Sequence, residues 1–207
     1  MRNDSDYRPI VKVCGLTNIE DARLASDLSA DLLGVVLDPE VARHGDEDLV
    51  GRMRSLGKDV VGVYTSMDSV RSSELKEDIV QLHFAHGKQE IEEVRFSLGK
   101  KVISVIQVHE ISKAFAEAIE AHDAGADFIL LEKKDGIAEI LPRIEILLRG
   151  YDVGVSGKID ADSLDVLVPL KPSFIDLSSS LESAPGKKDP AKMREFFLKL
   201  GRLRVGS

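Results

Sequence analysis

A chain of 207 residues, 43% of them apolar, is long enough to bury one large hydrophobic core. Its 28 Lys and Arg against 36 Asp and Glu give a net charge of -8, and no basic run is interleaved with aromatic residues, which argues against a nucleic-acid partner. A single cysteine excludes an internal disulfide, and the N-terminus lacks the apolar core of a signal peptide, so we expect a cytoplasmic protein with no membrane partner.

Eight short apolar runs with strand-like composition follow one another along the chain. The segments between them have helical periodicity or helix-start residues, and SMDSVRSSELKE is the weakest of these predicted helices. We expect several helices to end in left-handed glycines, at Gly57, Gly99, Gly125 and Gly150. The apolar runs read IVKVCG, DLLGVVL, DVVGVYT, DIVQLHF, KVISVIQV, DFILLE, YDVGVSG and SFIDLSS.

Alternating strands and helices predict a parallel sheet that is covered by helices. Eight such units in a chain of about 200 residues fit a closed (β/α)8 TIM barrel better than an open doubly wound sheet, which usually has fewer strands. We therefore predict a polar N-terminal extension over residues 1–9 and a single α/β barrel domain over residues 10–207.

In such a barrel the active site lies at the C-terminal ends of the strands. The Ser- and Gly-containing loops VSGKID and LSSSLESAPGKKD follow strands seven and eight, where barrels frequently bind a substrate phosphate through backbone N–H groups; ordinary flexible loops are the alternative. The residues expected at the strand ends are Cys14, Asp38, Thr65, His83, Gln107, Glu132, Ser156, Ser178, Ser179 and Ser180.

Two of these residues are candidates for acid–base chemistry. Cys14 precedes a glycine and a predicted helix start, where a lowered pKa would make its thiol a base or nucleophile, although a lone cysteine is more often an inert buried residue. Glu132 follows four apolar residues, so its carboxyl group would be partly desolvated and suited to a general acid. The alternative for Glu132 is an ion pair with Lys133 or Lys134.

Three further residues are candidates for substrate binding. Asp176 lies inside the predicted eighth strand, where a charge needs a partner or a role; the alternative is a structural carboxylate satisfied by backbone N–H groups. Arg43 follows the second strand and would pair with a substrate carboxylate, unless it is an ordinary surface arginine. His83 ends the fourth strand and is expected to line the barrel mouth.

The segment KVCGLTNIEDA resembles the opening of phosphoribosylanthranilate isomerases. The resemblance continues through VGV, VQLH, ILLE, VSG and IDLSSSLESAPGKKD in the same order, and it spans nearly the whole chain. This family of TIM barrels acts in tryptophan biosynthesis, an aromatic amino-acid pathway. Its members convert N-(5'-phosphoribosyl)anthranilate into the 1-deoxyribulose isomer by an Amadori rearrangement, without a metal or organic cofactor.

The resemblance implies a role for each candidate. Glu132 would protonate the ribose ring oxygen and open the ring to a Schiff base, and Cys14 would then remove the C2 proton. Arg43 would contact the anthranilate part, and Asp176 corresponds to the strand-eight aspartate. Family members are monomers or dimers, so a homodimer stays open. Phosphate contacts are implied for Ser156, Gly157, Ser179 and Ser180.

The sequence also departs from the family pattern at strand six. Glu132 stands where the family has an aspartate, and the following KKDGIAEIL keeps only Gly136 of a glycine-rich loop. Two alternatives to an active isomerase therefore stay open. One is a non-catalytic or repurposed phosphosugar-binding paralog on the same barrel, and the other is a different sugar-phosphate enzyme that uses Cys14 and Glu132 as an acid–base pair.

Overall fold

The computed structural model describes residues 7–205, in which eight parallel strands form a closed barrel in chain order. The first strand pairs with both the second and the eighth, which closes the ring. The predicted (β/α)8 architecture is confirmed. The strands are β1 (Ile10–Val13), β2 (Leu32–Val36), β3 (Asp59–Tyr64), β4 (Ile79–Leu82), β5 (Lys101–Gln107), β6 (Phe128–Glu132), β7 (Val153–Ser156) and β8 (Phe174–Leu177).

A helix follows each strand. Short 3-10 turns precede the sixth helix, follow the seventh and follow β8, and a π-helical turn extends the fourth helix through Ser97. The loop after β8 also contains a small antiparallel pair, β9 (Glu182–Ala184) and β10 (Lys187–Lys188). The helices are α1 (Ile19–Asp27), α2 (Glu47–Arg54), α3 (Met67–Ser72), α4 (Lys88–Glu92), α5 (Ile111–Asp123), α6 (Leu141–Gly150), α7 (Leu164–Leu167) and α8 (Pro190–Val205).

Local polar residues set where the first helices begin. Asn18 is extended, and its side chain accepts a hydrogen bond from the Asp21 backbone N–H at the start of α1. Asp46 caps α2 in the same way, and Ser66 caps α3. The cap at α3 starts a helix of only six residues, in agreement with the weak helical pattern of its sequence.

The expectation of left-handed glycines after helices is confirmed at three of four positions. Gly57, Gly99 and Gly125 have φ values of 74°, 67° and 90°. The prediction is wrong for Gly150, which is the last residue of α6 and does not have a positive φ. That helix ends instead at Tyr151, which turns into extended backbone with φ of -136°.

Two apolar layers build the molecule. One lies between the barrel and the helices, and it includes Val11, Val13 and Leu177. The other fills the barrel interior, with members such as Leu32, Val61 and Ile103. Since side chains alternate along a strand, the residues two positions apart from an interior residue also face inward.

The residues just before β1 contact the segments that precede β8 and β2. The Tyr7 hydroxyl donates to the Pro172 carbonyl at 2.7 Å, and Arg8 forms an ion pair with Asp31. Residues 1–6 of the predicted extension lie outside the described residues. Within the part of the chain that is described, none of the helices combines the length and the hydropathy that crossing a membrane requires.

Candidate active site

The C-terminal ends of the strands surround a cavity of about 430 Å³. All nine predicted site residues line it, although they come from every part of the chain. They are Cys14, Arg43, His83, Glu132, Ser156, Gly157, Asp176, Ser179 and Ser180. Among the other strand-end residues, Thr65 and Ser178 also line the cavity, whereas Asp38 binds the Thr65 hydroxyl and Gln107 reaches the site through Glu132.

Cys14 is held at the cavity wall by its own backbone. Its N–H donates to the Leu177 carbonyl at 2.7 Å, and its carbonyl accepts from the Lys188 ammonium at 2.6 Å. The residue is 7% exposed, and burial raises the pKa of the thiol above its ordinary value. The expectation of a lowered pKa is therefore wrong, because desolvation outweighs the favourable charge of nearby Lys12.

Glu132 is the last residue of β6, and two nitrogen atoms lie close to one oxygen of its carboxylate. The side-chain amide of Gln107 donates to Oε2, and His83 Nε2 lies 3.4 Å from the same atom. The alternative ion pair with Lys133 or Lys134 does not form among the described residues, and Lys133 instead pairs with Glu139 at 3.2 Å. Glu132 therefore keeps its second oxygen, Oε1, for another partner.

The tautomer of His83 follows from its neighbours. Lys12 can only donate, and its ammonium lies 2.8 Å from Gln81 Oε1, so the Gln81 amide presents Nε2 to His83 Nδ1 at 3.4 Å. Burial lowers the pKa of His83, which favours the neutral ring. The ring proton then sits on Nε2 and points to Glu132 Oε2. Oε2 thus faces Gln107 and His83, and Oε1 is the oxygen of Glu132 that is left for a ligand.

Asp176 has a side-chain partner and a free acceptor. Its Oδ2 accepts from the Lys12 ammonium at 3.0 Å, and both side chains are buried. Its Oδ1 is also buried and has no hydrogen-bond partner among the described residues. The alternative of a carboxylate satisfied by backbone N–H groups does not hold. An unpartnered carboxylate oxygen in a cavity wall is suited to accept from a ligand hydroxyl.

Arg43 is fixed at the mouth by residues of the loop after β8. Its Nη1 donates to the Ser178 hydroxyl at 3.2 Å and lies 3.6 Å from the Glu182 carboxylate. The side chain is 36% exposed, so the guanidinium is positioned by protein contacts and still meets solvent. This arrangement differs from that of an ordinary surface arginine and suits the recognition of a planar carboxylate.

The loops after β7 and β8 are tied to each other and to β6. Gly157 has φ of 121°, its carbonyl accepts from the Ile137 N–H at 3.1 Å, and the Ser156 carbonyl accepts from the Lys133 N–H at 3.2 Å. The Ser180 hydroxyl donates to the Ile159 carbonyl. The Ser180 side chain is thus used within the protein, and its loop contributes backbone at the cavity wall.

Sequence reasoning missed several polar residues around the cavity. A usable signal existed for two of them, since Lys12 on β1 and Gln81 on β4 stand two positions before Cys14 and His83, which directly follow these strands, and must face the same side. No local pattern indicated the others, whose positions depend on the loop after β8 or on side-chain reach. The missed residues are Lys12, Gln81, Lys134, Lys158, Glu182 and Lys188.

The whole sequence can be compared with known proteins. It matches the family model described as "N-(5'phosphoribosyl)anthranilate (PRA) isomerase" over residues 11–199. The chain belongs to this isomerase family. The N-(5'-phosphoribosyl)anthranilate isomerase of Thermoplasma volcanium is 42% identical over 190 residues, a match that spans 92% of this chain and 95% of the relative.

Solved structures agree with this family membership. The phosphoribosyl anthranilate isomerase of Thermus thermophilus superposes with a TM-score of 0.73 at 30% identity, covering 93% of this chain and 98% of that one. Another isomerase, solved in complex with reduced 1-(o-carboxyphenylamino)-1-deoxyribulose 5-phosphate, has a TM-score of 0.75 at 24% identity and covers 94% and 100%. This second likeness shows the shared fold.

Proposed function

We propose that the chain catalyses the Amadori rearrangement of N-(5'-phosphoribosyl)anthranilate, with Glu132 as the general acid and Cys14 as the base. Membership of the family makes it an isomerase that interconverts an aldose and a ketose, a step of tryptophan biosynthesis. The observation that carries the assignment of roles is that one cavity is lined by one thiol, at the end of β1, and by a carboxyl group with a free oxygen, at the end of β6.

The reaction begins with proton transfer from Glu132. Its Oε1 donates to the ribose ring oxygen, the bond from that oxygen to C1 breaks, and the nitrogen lone pair forms a protonated Schiff base at C1. Gln107 and His83 hold Oε2 and stabilise the carboxylate that remains. The longer side chain of glutamate, compared with the family's aspartate, is fixed by these two contacts.

Cys14 acts in the second step. Its thiolate takes the proton from C2, and the electron pair of that C–H bond moves through C1 to the nitrogen, giving a neutral enolamine. The enolamine becomes the ketone when its C2 hydroxyl loses a proton and C1 gains one. Two protons are gained and two are lost by the substrate, so no oxidant or reductant is required.

The remaining cavity residues hold the substrate in this proposal. The phosphate binds to the backbone around Ser156, Gly157, Ser179 and Ser180, where two loops converge. Arg43 pairs with the anthranilate carboxylate, and Asp176 Oδ1 accepts from a ribose hydroxyl. His83 lines the same cavity and lies beside Glu132 Oε2, the oxygen that faces away from the ribose ring oxygen in this proposal. The ligand of the solved isomerase that shares this fold, a carboxyphenylamino sugar phosphate, has the same three kinds of group.

Both alternatives to an active isomerase lack a supporting observation. The relatives that span nearly the full chain carry the isomerase name, and both proposed catalytic groups line the cavity. The predictions of a single domain over residues 10–207, of a cytoplasmic location and of a homodimer stay predictions. Sedimentation analysis of the purified chain measures the last of these.

The proposal is tested by following the fluorescence of the anthranilate adduct during its consumption. We expect the parent chain to consume it, Cys14→Ala to lose turnover while keeping its melting temperature within a few degrees, and Glu132→Gln to lose roughly 10² to 10⁴-fold, the usual contribution of a general acid. Glu139→Gln, at an exposed carboxylate near the same strand, is the matched control and should retain full activity. Equal turnover by Cys14→Ala and the parent would remove Cys14 from the mechanism.

A further inference from the structure

Lys12 is a fully buried lysine in the middle of β1. Its exposed fraction is 0%, and its ammonium lies 2.8 Å from Gln81 Oε1 and 3.0 Å from Asp176 Oδ2. Apolar side chains such as Leu32 and Ile79 fill much of the surrounding barrel interior. Burying an ion pair is costly, and apolar residues of similar size often stabilise a fold equally well or better. Stability alone therefore gives a poor reason for a lysine here.

The position of Lys12 places it beside the proposed base. Lys12 lies on β1 and Cys14 directly follows it. Because the two residues are two positions apart, their side chains face the same side. They also meet at a common point, since a Cβ added to Gly34 would lie 3.0 Å from Cys14 Sγ and 3.0 Å from Lys12 Cε. Cys14 Sγ and Lys12 Cε therefore lie no more than 3.0 + 3.0 = 6.0 Å apart, and Gly34 of β2 has no side chain to come between them.

Charged groups from every side of the cavity act on this thiol. Lys12 is the strongest of those that favour the thiolate, and Asp176 on β8 opposes it. Lys188 on β10 also favours the thiolate, but its ammonium is already paired with Glu182 at 3.0 Å. The other titratable groups that line the same cavity are Arg43, His83, Glu132, Lys134 and Lys158.

We propose that Lys12 is a positioning residue that sustains the reactive thiolate of Cys14, and that Asp176 limits this effect. The proposal rests on the assigned role of Cys14 as the base. In the C2 step the thiolate gains the proton and becomes a thiol, while the Lys12 ammonium keeps all of its protons and acts through its charge. The fixed ammonium offsets part of the desolvation that a thiolate meets at this buried position.

The chain's single cysteine makes the test direct, because every alkylation event reports Cys14. The rate of modification by iodoacetamide is measured from neutral to alkaline pH and is proportional to the thiolate fraction at pH values below the pKa. Removing a cation next to the thiol should raise its pKa by roughly 1 to 3 units, so Lys12→Met should alkylate about 10-fold more slowly or worse at neutral pH.

Two further variants test whether the alkylation rate of Cys14 rises when the opposing charge is removed and falls when the lysine is removed. Asp176→Asn removes the opposing charge and should alkylate faster than the parent. Lys12→Met leaves the Asp176 carboxylate buried without its partner, and this variant can unfold for that reason. The double variant Lys12→Met/Asp176→Asn has no unpaired charge, and its alkylation rate compared with that of Asp176→Asn gives the same effect of the lysine. Lys88→Met, at an exposed lysine on α4, is the matched control and should alkylate at the parent rate.

The outcomes separate the possible roles of Lys12. A purely structural lysine would loosen the barrel on removal, expose the thiol and increase the alkylation rate, and either this increase or an unchanged rate would overturn the proposal. In the isomerase assay, the acid limb of kcat/KM for Lys12→Met should move to higher pH by the same interval. If alkylation slows as expected while the parent chain consumes no phosphoribosylanthranilate, the proposed function fails and the effect of Lys12 on the thiol stands.

Discussion

Gly157→Ala is the substitution whose consequence can be worked out most fully from the structure. Gly157 follows β7 at the proposed phosphate site, with φ of 121°. A Cβ added there would lie 2.0 Å from the Lys133 carbonyl oxygen, whereas 3.0 Å is the closest approach that real Cβ atoms show, so the two backbones must separate by about 3.0 - 2.0 = 1.0 Å. The carbonyl oxygen is a backbone atom, and the position of a Cβ is fixed by the backbone, so neither atom can rotate away.

The expected loss has two parts. A non-glycine residue at this φ costs about 1 to 3 kcal/mol of unfolding free energy, and the overpacking against Lys133 adds about 1 to 3 kcal/mol. Because Lys133 directly follows Glu132, the separation also displaces the catalytic carboxyl relative to the phosphate loop. A misplacement of about 1 Å can lower the rate by roughly 10²-fold, so kcat/KM should fall by about that factor.

Gly136 provides a matched control in the neighbouring loop. Its φ is 130°, and a Cβ added there has no atom within 4 Å, so Gly136→Ala carries the backbone cost without the clash. Kinetics are measured by adduct fluorescence and stability by urea unfolding. Inorganic phosphate should raise the melting temperature of the parent and of Gly136→Ala by mass action, and that of Gly157→Ala much less. Equal losses in the two variants would refute the reasoning.

Two other substitutions test the acid and a buried carboxylate remote from the site. Glu132→Asp withdraws the carboxyl group from Gln107 and His83 by about 1 Å and should lower kcat/KM by roughly 10²-fold with little change in phosphate affinity, whereas a rise in activity would indicate a site that has decayed from the family's aspartate. Glu77 is 1% exposed, and burial raises its pKa above the ordinary 4.5, so the folded state holds the Glu77 proton more tightly than the unfolded state does. The unfolding free energy of the parent should therefore lose a contribution as pH rises from 4.5 through the raised pKa, and Glu77→Gln should lack that loss. Urea unfolding across this pH range measures the difference, and parallel profiles would contradict the assignment.

Much of the site was predictable because a parallel barrel converts chain order into position. Once the eight apolar runs were identified as strands, the residues after them had to meet at one end, and Cys14, His83 and Glu132 do line one cavity. The capping residue Asn18 acts on a backbone N–H only three residues away, so local sequence also indicated where the first helix begins. Gly150 shows the limit of such local rules, because it ends α6 without a positive φ and the chain leaves the helix at Tyr151.

Only the tertiary structure decided the electrostatics of the site. Lys12 bonds to residues 69 and 164 positions away along the chain, and no periodicity identifies which interior groups meet at such separations. For the same reason the thiol of Cys14 was expected to be acidic from its position near a helix start and is instead made less acidic by burial. Strand and helix patterns depend on neighbours in sequence, whereas the charge state of a buried group depends on the solvent it loses and the distant partners it gains.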